Sequence, residues 1–412
     1  MKTKKDILFL CQYFYPEYIS SATLPYDVAL ALVKAGFSIS VLCGYPKEYN
    51  HHGEVPLDET REGIEIHRVK YLQSHRGNFA GRLINYFSFT LAILARLPSF
   101  RDYKAVIVYS TPPILPLLAS WASQLFGVKM VFVCYDVYPE IAYMTGSIDR
   151  AGFIGKIMHF INKSVYRRAI RVVALSSEMK DYLTRHRDLH GSGQVVVIPN
   201  WYKESGILET SKSYLNEKFA GLNPMDNFVV SYFGNMGVCQ DLETVLGAIR
   251  RLRCDCGVKF LFAGHGSKLD QLRMVIQMER LTNVIVYDFL HGEDFHDAMV
   301  ISGAFLVSMH KQLVGLAVPS KTYSYMNAGK PVIAIMDTET DIARDLLANR
   351  AGYVVEVGAV DRLVEAIIEM RDNVPLRHEF GRNIRQIFLS KFTTDRCTAQ
   401  YVEMMKEVLG GS

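Results

Sequence analysis

The 412-residue sequence lacks the features that mark several classes of protein. Its seven cysteines are scattered. Neither a second pair nor a histidine cluster accompanies the C-x-C of Cys254 and Cys256, so reduced thiols are a simpler interpretation than a metal site or a disulfide framework. No D-x-D motif, internal repeat or low-complexity tract is present. No G-x-G-x-x-G with a ribose-binding acid follows a first strand, which disfavours an NAD-dependent dehydrogenase.

Long apolar runs are also missing. No window of about 18 uncharged apolar residues occurs, so no membrane-spanning helix is predicted. Three lysines among the first five residues precede Ile7–Leu10, which favours a strand over a signal peptide. The nearest apolar run, Phe79–Phe100, is interrupted by Arg82 and Arg96. It fits an amphipathic helix lying in a membrane surface and a core helix equally well.

Charge is small overall and uneven along the chain. Residues 1–200 hold 23 Lys/Arg against 16 Asp/Glu, and residues 201–412 hold 23 against 26. A basic first half favours an anionic membrane or a phosphate-bearing partner, although a solvated surface is equally compatible with the counts. We expect no nucleic-acid partner, and we expect a cytoplasmic protein with peripheral contact to the inner face of the plasma membrane.

The length and composition predict two folded α/β domains. A chain of 412 residues with 49% hydrophobic content is too long for a single core. A polar run, residues 203–216, reads as a linker. The predicted domains are residues 1–202 and 203–393, followed by a C-terminal amphipathic helix over residues 394–412 that packs back on the first domain.

In the first half, short apolar segments alternate with helical patterns. Ile7–Cys11 reads as a buried strand, followed by a loop, a helix and a second strand, which places the loop at the ligand-binding edge of a parallel sheet. Asp136 and Glu140 follow another strand, Lys129–Cys134. They are candidates for acid/base catalysis or for binding substrate hydroxyls. A loop aspartate and a helix-start glutamate would look the same.

In the second half, two strands run directly into glycine turns. Phe228–Phe233 leads into Gly234–Gly237, and Lys259–Ala263 leads into Gly264–Gly266. Strand, glycine turn and helix start form an arrangement that cradles phosphate. Each turn alone is a weak signal, but several on one sheet edge are a stronger one.

A third segment of the second half also predicts a helix start that could bind phosphate. Pro319 and Ser320 suit the start of a helix, with Ser320 as its cap, and Lys321 adds a positive charge there. Gly329 ends this helix before the strand Val332–Ile335. An ordinary helix–strand connection remains equally compatible with the pattern.

The order and spacing of these segments resemble the retaining glycosyltransferases of family 4. The motifs that carry the resemblance are Tyr13–Glu17, Ser110–Pro113, Asp136–Glu140, Ile198–Trp201, Phe233–Gly237, Gly264–Gly266, Val318–Lys321 and Gly329–Pro331. The Asn-Trp and Pro-Ser-Lys segments are most similar to the branch that builds bacterial surface polysaccharides, which includes O-antigen N-acetyl-L-fucosamine and colanic acid transferases. The resemblance covers nearly the whole chain.

The resemblance implies the GT-B fold, in which two Rossmann-like doubly wound domains face each other across a cleft. It implies transfer from a nucleotide diphosphate sugar, with a UDP-sugar expected, to a lipid-diphosphate-linked glycan, without a metal or other cofactor. The implied catalytic-side residues are Asp136 and Glu140. The implied donor-binding residues are Gly234, Asn235, Gly237, Gly264, His265, Gly266, Tyr287, Phe289, Leu290, Leu316, Pro319, Ser320, Lys321 and Ser324. The implied acceptor-side residues are Tyr15, Glu17, Ser20 and Ser21.

The sequence departs from the family pattern at several of these positions. Asn235 and Gln240 stand where most members have an arginine and a lysine, and Leu316 and Ser324 stand where the family has two glutamates. Lys321 would supply the missing charge, with His310 or Lys311 nearby. Two other functions stay open: a UDP-sugar epimerase of the same fold, and a non-catalytic nucleotide-sugar-binding scaffold.

Overall fold

The structure is a computed structural model. It describes residues 4–46, 53–74, 79–150, 152–206, 217–255 and 257–410. The chain divides into two units. The first contains Met1–Asn200, Gly315–Val318 and Thr394–Ser412, and the second contains Trp201–Val314 and Pro319–Thr393. The predicted boundary after residue 202 therefore lies two residues from the observed one, whereas the transfer of Gly315–Val318 to the first unit was not predicted.

The first unit is built on one eight-stranded sheet with the order β3-β4-β2-β1-β5-β6-β7-β8. All neighbours are parallel except the β3–β4 hairpin. Successive strands are added to one side of β1 as far as β4 and to its other side from β5 onward, so the strand order reverses between β1 and β5. The strands are β1 Lys5–Leu10, β2 Ile39–Gly44, β3 Asp58–Arg61, β4 Ile64–Val69, β5 Tyr103–Tyr109, β6 Lys129–Val133, β7 Ala169–Ala174 and β8 Val195–Val197.

Helices connect these strands. They are α1 Ser20–Lys34, α2 Phe79–Leu94, α3 Pro116–Phe126, α4 Glu140–Met144, α5 Phe153–Arg168 and α6 Ser177–His186. The strands are buried because helices cover them; Ile7 and Phe9 of β1, for example, have no exposed surface. Helix α3 packs against both α2 and α5, so these three helices form one layer.

The second unit has a six-stranded, wholly parallel sheet with the order β11-β10-β9-β12-β13-β14. The strand order reverses between β9 and β12. Ligands bind at this position in doubly wound folds. The strands are β9 Phe228–Asn235, β10 Val258–His265, β11 Val284–Tyr287, β12 Ala304–Ser308, β13 Val332–Ile335 and β14 Gly352–Val355. The predicted α/β class with two doubly wound domains is confirmed.

The helices of this unit are α7 Glu243–Arg251, α8 Ser267–Glu279, α9 Gly292–Ile301, α10 Lys321–Asn327, α11 Asp341–Ala348, α12 Val360–Asp372 and α13 Val374–Lys391. An apolar cluster from β9, β10, α7 and α12 fills one side of the sheet. Helix α10 is only two turns long and ends before Gly329, whose φ of +67° is a left-handed conformation that glycine adopts without strain.

Some predicted elements differ in extent. Strand β11 ends at Tyr287, so the predicted donor-site residues Phe289 and Leu290 lie in the following loop. Helix α2 ends at Leu94, and a short 3-10 turn, Leu97–Asp102, follows it. Most of the predicted linker, residues 207–216, and the C-x-C residue Cys256 lie outside the described residues. No helix in the described part of the chain is long and apolar enough to cross a bilayer.

The last helix, α14 Thr394–Gly410, belongs to the first unit. It packs on α1, and the Lys129 ammonium at the start of β6 donates to the carbonyl of Val408 at 2.8 Å. Tyr401 and Met405 are buried, with exposed fractions of 1% and 0%. One face of α14 is therefore part of the hydrophobic core of the first unit.

Replacing Met405 with alanine should lower the free energy of unfolding by about 2–5 kcal/mol, because it leaves a cavity under α14. Urea denaturation followed by circular dichroism would measure this. Gln400→Ala on the exposed side of the same helix is the control and should change stability by less than about 0.5 kcal/mol. Equal stability of the two variants would contradict a core role for α14.

Candidate functional site

The two glycine turns of the second unit lie side by side. β9 and β10 pair in parallel as far as Gly234 with Gly264 and Asn235 with His265. Beyond the ladder, the Met236 N–H donates to the His265 carbonyl at 2.8 Å. The structure therefore brings together the two turns that the sequence predicted at one sheet edge.

Glycine is required where these turns touch. Gly264 has a φ of +147°, and a Cβ added there would lie 2.1 Å from the carbonyl oxygen of Gly234. A Cβ on Gly266, with a φ of +119°, would lie 2.4 Å from the carbonyl oxygen of Met236. Any side chain at either position would collide with backbone, so the close approach depends on both glycines.

Lys321, the first residue of α10, reaches this pair of turns. Its ammonium donates to the Asn235 carbonyl at 2.9 Å and to the Tyr232 hydroxyl. It also lies 3.9 Å from the centre of the Tyr232 ring, a cation–π distance. The predicted positive charge therefore stands at the glycine turn, held by a carbonyl and an aromatic ring.

The position of Lys321 depends on two tyrosines that the sequence analysis did not single out. The Tyr325 hydroxyl accepts from the Phe233 N–H at 2.7 Å and donates to the Phe233 carbonyl at 3.1 Å, which pins α10 to the end of β9. The Tyr232 hydroxyl donates to the Asn235 carbonyl at 3.0 Å. Strand alternation places Tyr232 on the same side of β9 as Gly234, which is the signal that could have identified it.

Burial lowers the pKa of Lys321 to about 7, because desolvation disfavours the ammonium form. Two N–H groups of the glycine turn are already used: Met236 donates to His265, and Gly237 donates to the Gln240 side chain at 2.7 Å. Lys321 therefore offers positive charge at this turn in addition to the remaining N–H groups, and an anion bound beside it would raise its pKa.

The predicted cap of α10 is wrong in one respect. Ser320 precedes the helix with helical dihedral angles, and its side chain makes no capping hydrogen bond. The Thr322 hydroxyl instead donates to the Pro319 carbonyl at 2.7 Å. The Ser324 hydroxyl donates within the helix to the Lys321 carbonyl at 2.7 Å, which leaves only its acceptor lone pairs for a ligand.

The predicted donor-site residues Tyr287, Phe289 and Leu290 are only partly accessible to a ligand. The Phe289 ring, 46% exposed, lies 6.1 Å from the ring of His265, which is itself exposed beside Gly264 and Gly266. Leu290 is buried. The Tyr287 hydroxyl donates to the Lys218 carbonyl, so this side chain is engaged in packing. Phe289 and His265 are the pair that a planar ligand can reach.

The charged substitutes suggested by the sequence are not equivalent to Lys321. Lys311 is 81% exposed and forms an ion pair with Asp337 at 3.4 Å. The His310 N–H donates to the Cys239 carbonyl at 3.1 Å, which ties the segment after β12 to the loop after β9. Lys321, by contrast, contacts the Asn235 carbonyl, and its replacement of the charge that the family places at positions 235 and 240 stays a prediction.

In the first unit, Asp136 lies in a loop held by Ser110. The Ser110 hydroxyl accepts from the N–H groups of Tyr135 and Asp136 at 3.0 and 3.4 Å. The carboxylate of Asp136 has no hydrogen-bond partner among the described residues, and burial raises its pKa to about 6. An unpaired, partly buried carboxylate at the carboxyl edge of β6 is suited to binding a hydroxyl group or accepting a proton.

Glu140 is in a different situation. Both of its carboxylate oxygens accept from the Arg187 guanidinium, at 2.9 and 2.6 Å. Arg187 is largely buried and also donates to the Tyr138 carbonyl at 3.1 Å. This bidentate pair connects the start of α4 to the end of α6, so the geometry favours a structural role for Glu140 over the predicted catalytic one.

The predicted acceptor-side residues occupy the loop after β1 and the start of α1. The Tyr15 ring lies 5.6 Å from the Tyr26 ring and 4.2 Å from the Arg61 guanidinium. Glu17 is buried, and Ser20 and Ser21 open α1. Their role in binding an acceptor stays a prediction.

Leu316, also predicted for the donor site, makes its contacts within the first unit. It belongs to the first unit, where its side chain is buried and its carbonyl accepts from the Val137 N–H at 2.9 Å. Gly315, with a φ of +77°, packs so closely on Tyr182 that a Cβ would lie 2.9 Å from the tyrosine Cβ. These long-range contacts place residues 315–318 in the first unit. Nothing in the sequence of the segment predicts such contacts.

No group of three or more His, Cys, Asp or Glu side chains suited to a metal ion occurs among the described residues. The expectation that the chain works without a metal stays a prediction.

Comparison with known families bears on both units. Residues 22–201 match the Glycosyl transferase 4-like domain, and residues 214–387 match Glycosyl transferases group 1. The chain is a glycosyltransferase of the GT-B fold. The predicted assignment to the glycosyltransferases is thereby confirmed at the level of these two domains.

Individual relatives of this glycosyltransferase are distant. The chain is 22% identical over 329 residues to a probable glycosyltransferase, WbjE of Pseudomonas aeruginosa, covering 77% of this chain and 79% of the relative. HepE of Anabaena, solved in complex with UDP, is similar in structure with a TM-score of 0.72 at 15% identity, covering 98% of this chain and 100% of HepE. WaaG, a glycosyltransferase involved in lipopolysaccharide biosynthesis, gives a TM-score of 0.69 at 12% identity, covering 97% and 99%.

Asp136→Asn and Glu140→Gln should have opposite effects on stability. A raised folded-state pKa means that Asp136 favours folding below its unfolded pKa and that this contribution is lost as the pH rises through about 6. Asp136→Asn should therefore raise the Tm at pH 7.5, by an amount that shrinks towards pH 4. Glu140→Gln should lower stability by about 1–3 kcal/mol because it leaves Arg187 without a charged partner.

Differential scanning calorimetry at several pH values would measure both variants. A lower Tm for Asp136→Asn at pH 7.5 would show that the carboxylate has a stabilising partner, and an unchanged Tm for Glu140→Gln would show that its ion pair with Arg187 contributes nothing.

Proposed function

We propose that this glycosyltransferase moves a sugar from a UDP-sugar to a lipid-diphosphate-linked glycan in the biosynthesis of a bacterial surface polysaccharide, with retention of configuration at the anomeric carbon. The observation that carries the proposal is the Lys321 ammonium at the joined glycine turns. This is the kind of site that a departing diphosphate requires: a cation and glycine backbone at the carboxyl edge of a parallel sheet.

The role of the second unit is to bind the donor. Lys321 stabilises the negative charge that builds on the diphosphate as the bond to the sugar breaks. Gly264 and Gly266 allow a ligand to approach the backbone closely, and Phe289 beside His265 offers an aromatic face for the base. HepE, which shares the fold, has been solved with UDP and with UDP-glucose, which supports UDP as the nucleotide.

The role of the first unit is to bind the acceptor. Asp136 binds an acceptor hydroxyl, and its raised pKa keeps the carboxylate basic enough to share a proton near neutral pH. The leaving diphosphate takes that proton as the new glycosidic bond forms on the face from which it departs. No side-chain nucleophile is assigned.

The acceptor is proposed to be membrane-bound because of the layer formed by α2, α3 and α5. In α2, Phe89 and Ile93 are buried, whereas Phe87 and Leu91 on the other side are 54% and 63% exposed. One face of this helix lies in the core, and the other presents large apolar side chains to the outside, which supports a membrane contact.

The same layer is basic. The sequences of α2, α3 and α5 contain five Lys/Arg and no Asp/Glu. Phe153 and Phe160 on α5 are 78% and 70% exposed. Exposed apolar residues among cations without acids are typical of a surface that binds anionic lipid. The likeness to WaaG, which acts in lipopolysaccharide biosynthesis, also supports a polysaccharide pathway.

UDP should stabilise the protein more than GDP, ADP or NAD do. Because the pKa of Lys321 is about 7 and a diphosphate binds its charged form, UDP affinity should fall by up to about tenfold per pH unit from pH 7 to 9. In Lys321→Met, binding should be weaker and nearly independent of pH. Isothermal titration calorimetry would measure both effects.

Lys259→Met, which removes a lysine at the other end of β10, is the matched control and should bind UDP like the wild type. A constant affinity of the wild type between pH 7 and 9 would remove Lys321 from the diphosphate site. Transfer itself is tested by release of UDP that requires an undecaprenyl-diphosphate-linked sugar. Interconversion of a UDP-sugar without acceptor would indicate the epimerase function instead.

Phe87→Ser combined with Leu91→Ser should weaken binding to vesicles that contain anionic phospholipid by about tenfold or more, since each side chain would otherwise bury apolar area in the membrane. Vesicle co-sedimentation would measure the change.

Met225→Ser in the second unit, at a residue that is 81% exposed, is the control and should sediment like the wild type. Equal sedimentation of the double variant and the wild type would exclude α2 as the membrane contact.

A further inference from the structure

A cavity of about 700 Å³ opens in the second unit away from the glycine turns. The residues just before β9, β12 and β13 line it, together with one face of α13. The glycine turns follow the carboxyl ends of β9 and β10, so the cavity lies at the opposite edge of the same sheet. Its volume is in the range of small-molecule sites.

The lining of this cavity is strongly basic. It includes Lys330, Arg377, Arg382, Arg385 and His378, and it contains no aspartate or glutamate. Residues 201–412 as a whole contain more acidic than basic side chains, 26 against 23. The positive charge is therefore a local concentration rather than a property of the whole unit.

The two more buried cations have no carboxylate partner in the described part of the chain. The Lys330 ammonium donates to the carbonyls of Val300 and Ser302 at the end of α9. Arg377 donates to the carbonyls of Met370 and Arg371 at the end of α12, at 3.1 Å each. Helix carbonyls offset part of a positive charge but do not neutralise it.

The lack of a carboxylate partner is accompanied by lowered pKa values for both Lys330 and Arg377. Burial, together with the charge of Arg377, lowers the pKa of Lys330 to about 8, and burial lowers the pKa of Arg377. An anion in the cavity would relieve both shifts.

Two further basic side chains are exposed at the cavity. His378 and Arg382 are four residues apart on α13, so they lie on the same face of that helix. Neither forms an ion pair or a side-chain hydrogen bond with another described residue. Arg385 differs, because it donates to Asn327 and to the Ser205 carbonyl and is 3.5 Å from the Glu204 carboxylate. Arg385 is therefore already engaged in the fold.

We propose that this cavity binds a small molecule through a phosphate group, with Lys330 and Arg377 inside and His378 and Arg382 at its opening. Arginine suits this role because its planar donors match two phosphate oxygens at once. The site is separate from the donor site and does not depend on UDP binding there. The phosphate could belong to a water-soluble metabolite or to a lipid headgroup.

The test is calorimetric titration of the full chain with inorganic phosphate and with pyrophosphate at constant low ionic strength. The wild type should show saturable binding. His378→Gln combined with Arg382→Gln should weaken it by about tenfold or more, the loss expected for charge-assisted hydrogen bonds. These exposed residues are chosen because replacing the half-buried Lys330 risks unfolding.

Two controls separate this cavity from other anion sites. Arg362→Gln, at an exposed arginine of α12 that pairs with Glu365, should bind phosphate like the wild type. Lys321→Met can lose only anion bound at the donor site, so the binding that depends on His378 and Arg382 should remain in it. Equal binding by the wild type and the double variant, loss of all anion binding in Lys321→Met, or no saturable binding in the wild type would each overturn the proposal.

The source of the phosphate is distinguished with matched ligands. Glycerol phosphate and a short-chain, water-soluble phosphatidic acid present the same phosphomonoester with and without acyl chains. Binding of the lipid that is about tenfold tighter and sensitive to the double variant assigns the cavity to a lipid headgroup. Equal affinities, both sensitive to the variant, assign it to a soluble metabolite.

Discussion

The backbones of Gly234 and Gly264 meet at the carboxyl ends of β9 and β10, and the donor-side geometry depends on this contact. No side chain fits at Gly264, since a Cβ there would lie 2.1 Å from the carbonyl oxygen of Gly234. The close approach lets the strand ladder continue to Asn235 and His265. The Asn235 carbonyl then accepts from both Tyr232 and Lys321. The position of the cation thus depends on the missing side chain of Gly264.

Buried charge is handled in two ways in this protein. Glu140 and Arg187 satisfy each other with two hydrogen bonds, and they join two helices of the first unit. Asp136 and Lys321 have no charged partner among the described residues, and burial moves the pKa of each towards neutrality. Fully paired groups stabilise a fold, whereas unpaired ones are available to a ligand. On this criterion, Asp136 and Lys321 are candidate site residues and Glu140 is a structural one.

Much of the fold could be predicted because its signals are local. Apolar runs that alternate with helices indicate parallel strands. Glycines at strand ends indicate turns in which two backbones approach closely. Gly329 marks the end of α10 for the same reason. The glycine turns and Lys321 were therefore identified from the sequence, and the structure brings them into contact.

The rest could not be predicted because it depends on contacts between distant residues. Arg187 is 47 residues from Glu140, and Tyr232 is 89 residues from Lys321. Gly315–Val318 joins the first unit through packing on Tyr182 and a hydrogen bond from Val137. Serine is a common helix cap, but the backbone at Ser320 is already helical. Its hydroxyl therefore does not accept a hydrogen bond from the first N–H groups of α10.

The packing of α14 on α1 has a consequence for how the chain matures. The first unit draws on residues 1–200, 315–318 and 394–410, so its last helix follows the whole of the second unit in the chain. During synthesis, the second unit has all of its strands and helices before the first unit receives its last helix. The ribosome therefore delivers a complete second unit while the face of α1 that α14 covers is still open. The first unit, although encoded first, is the last to be finished.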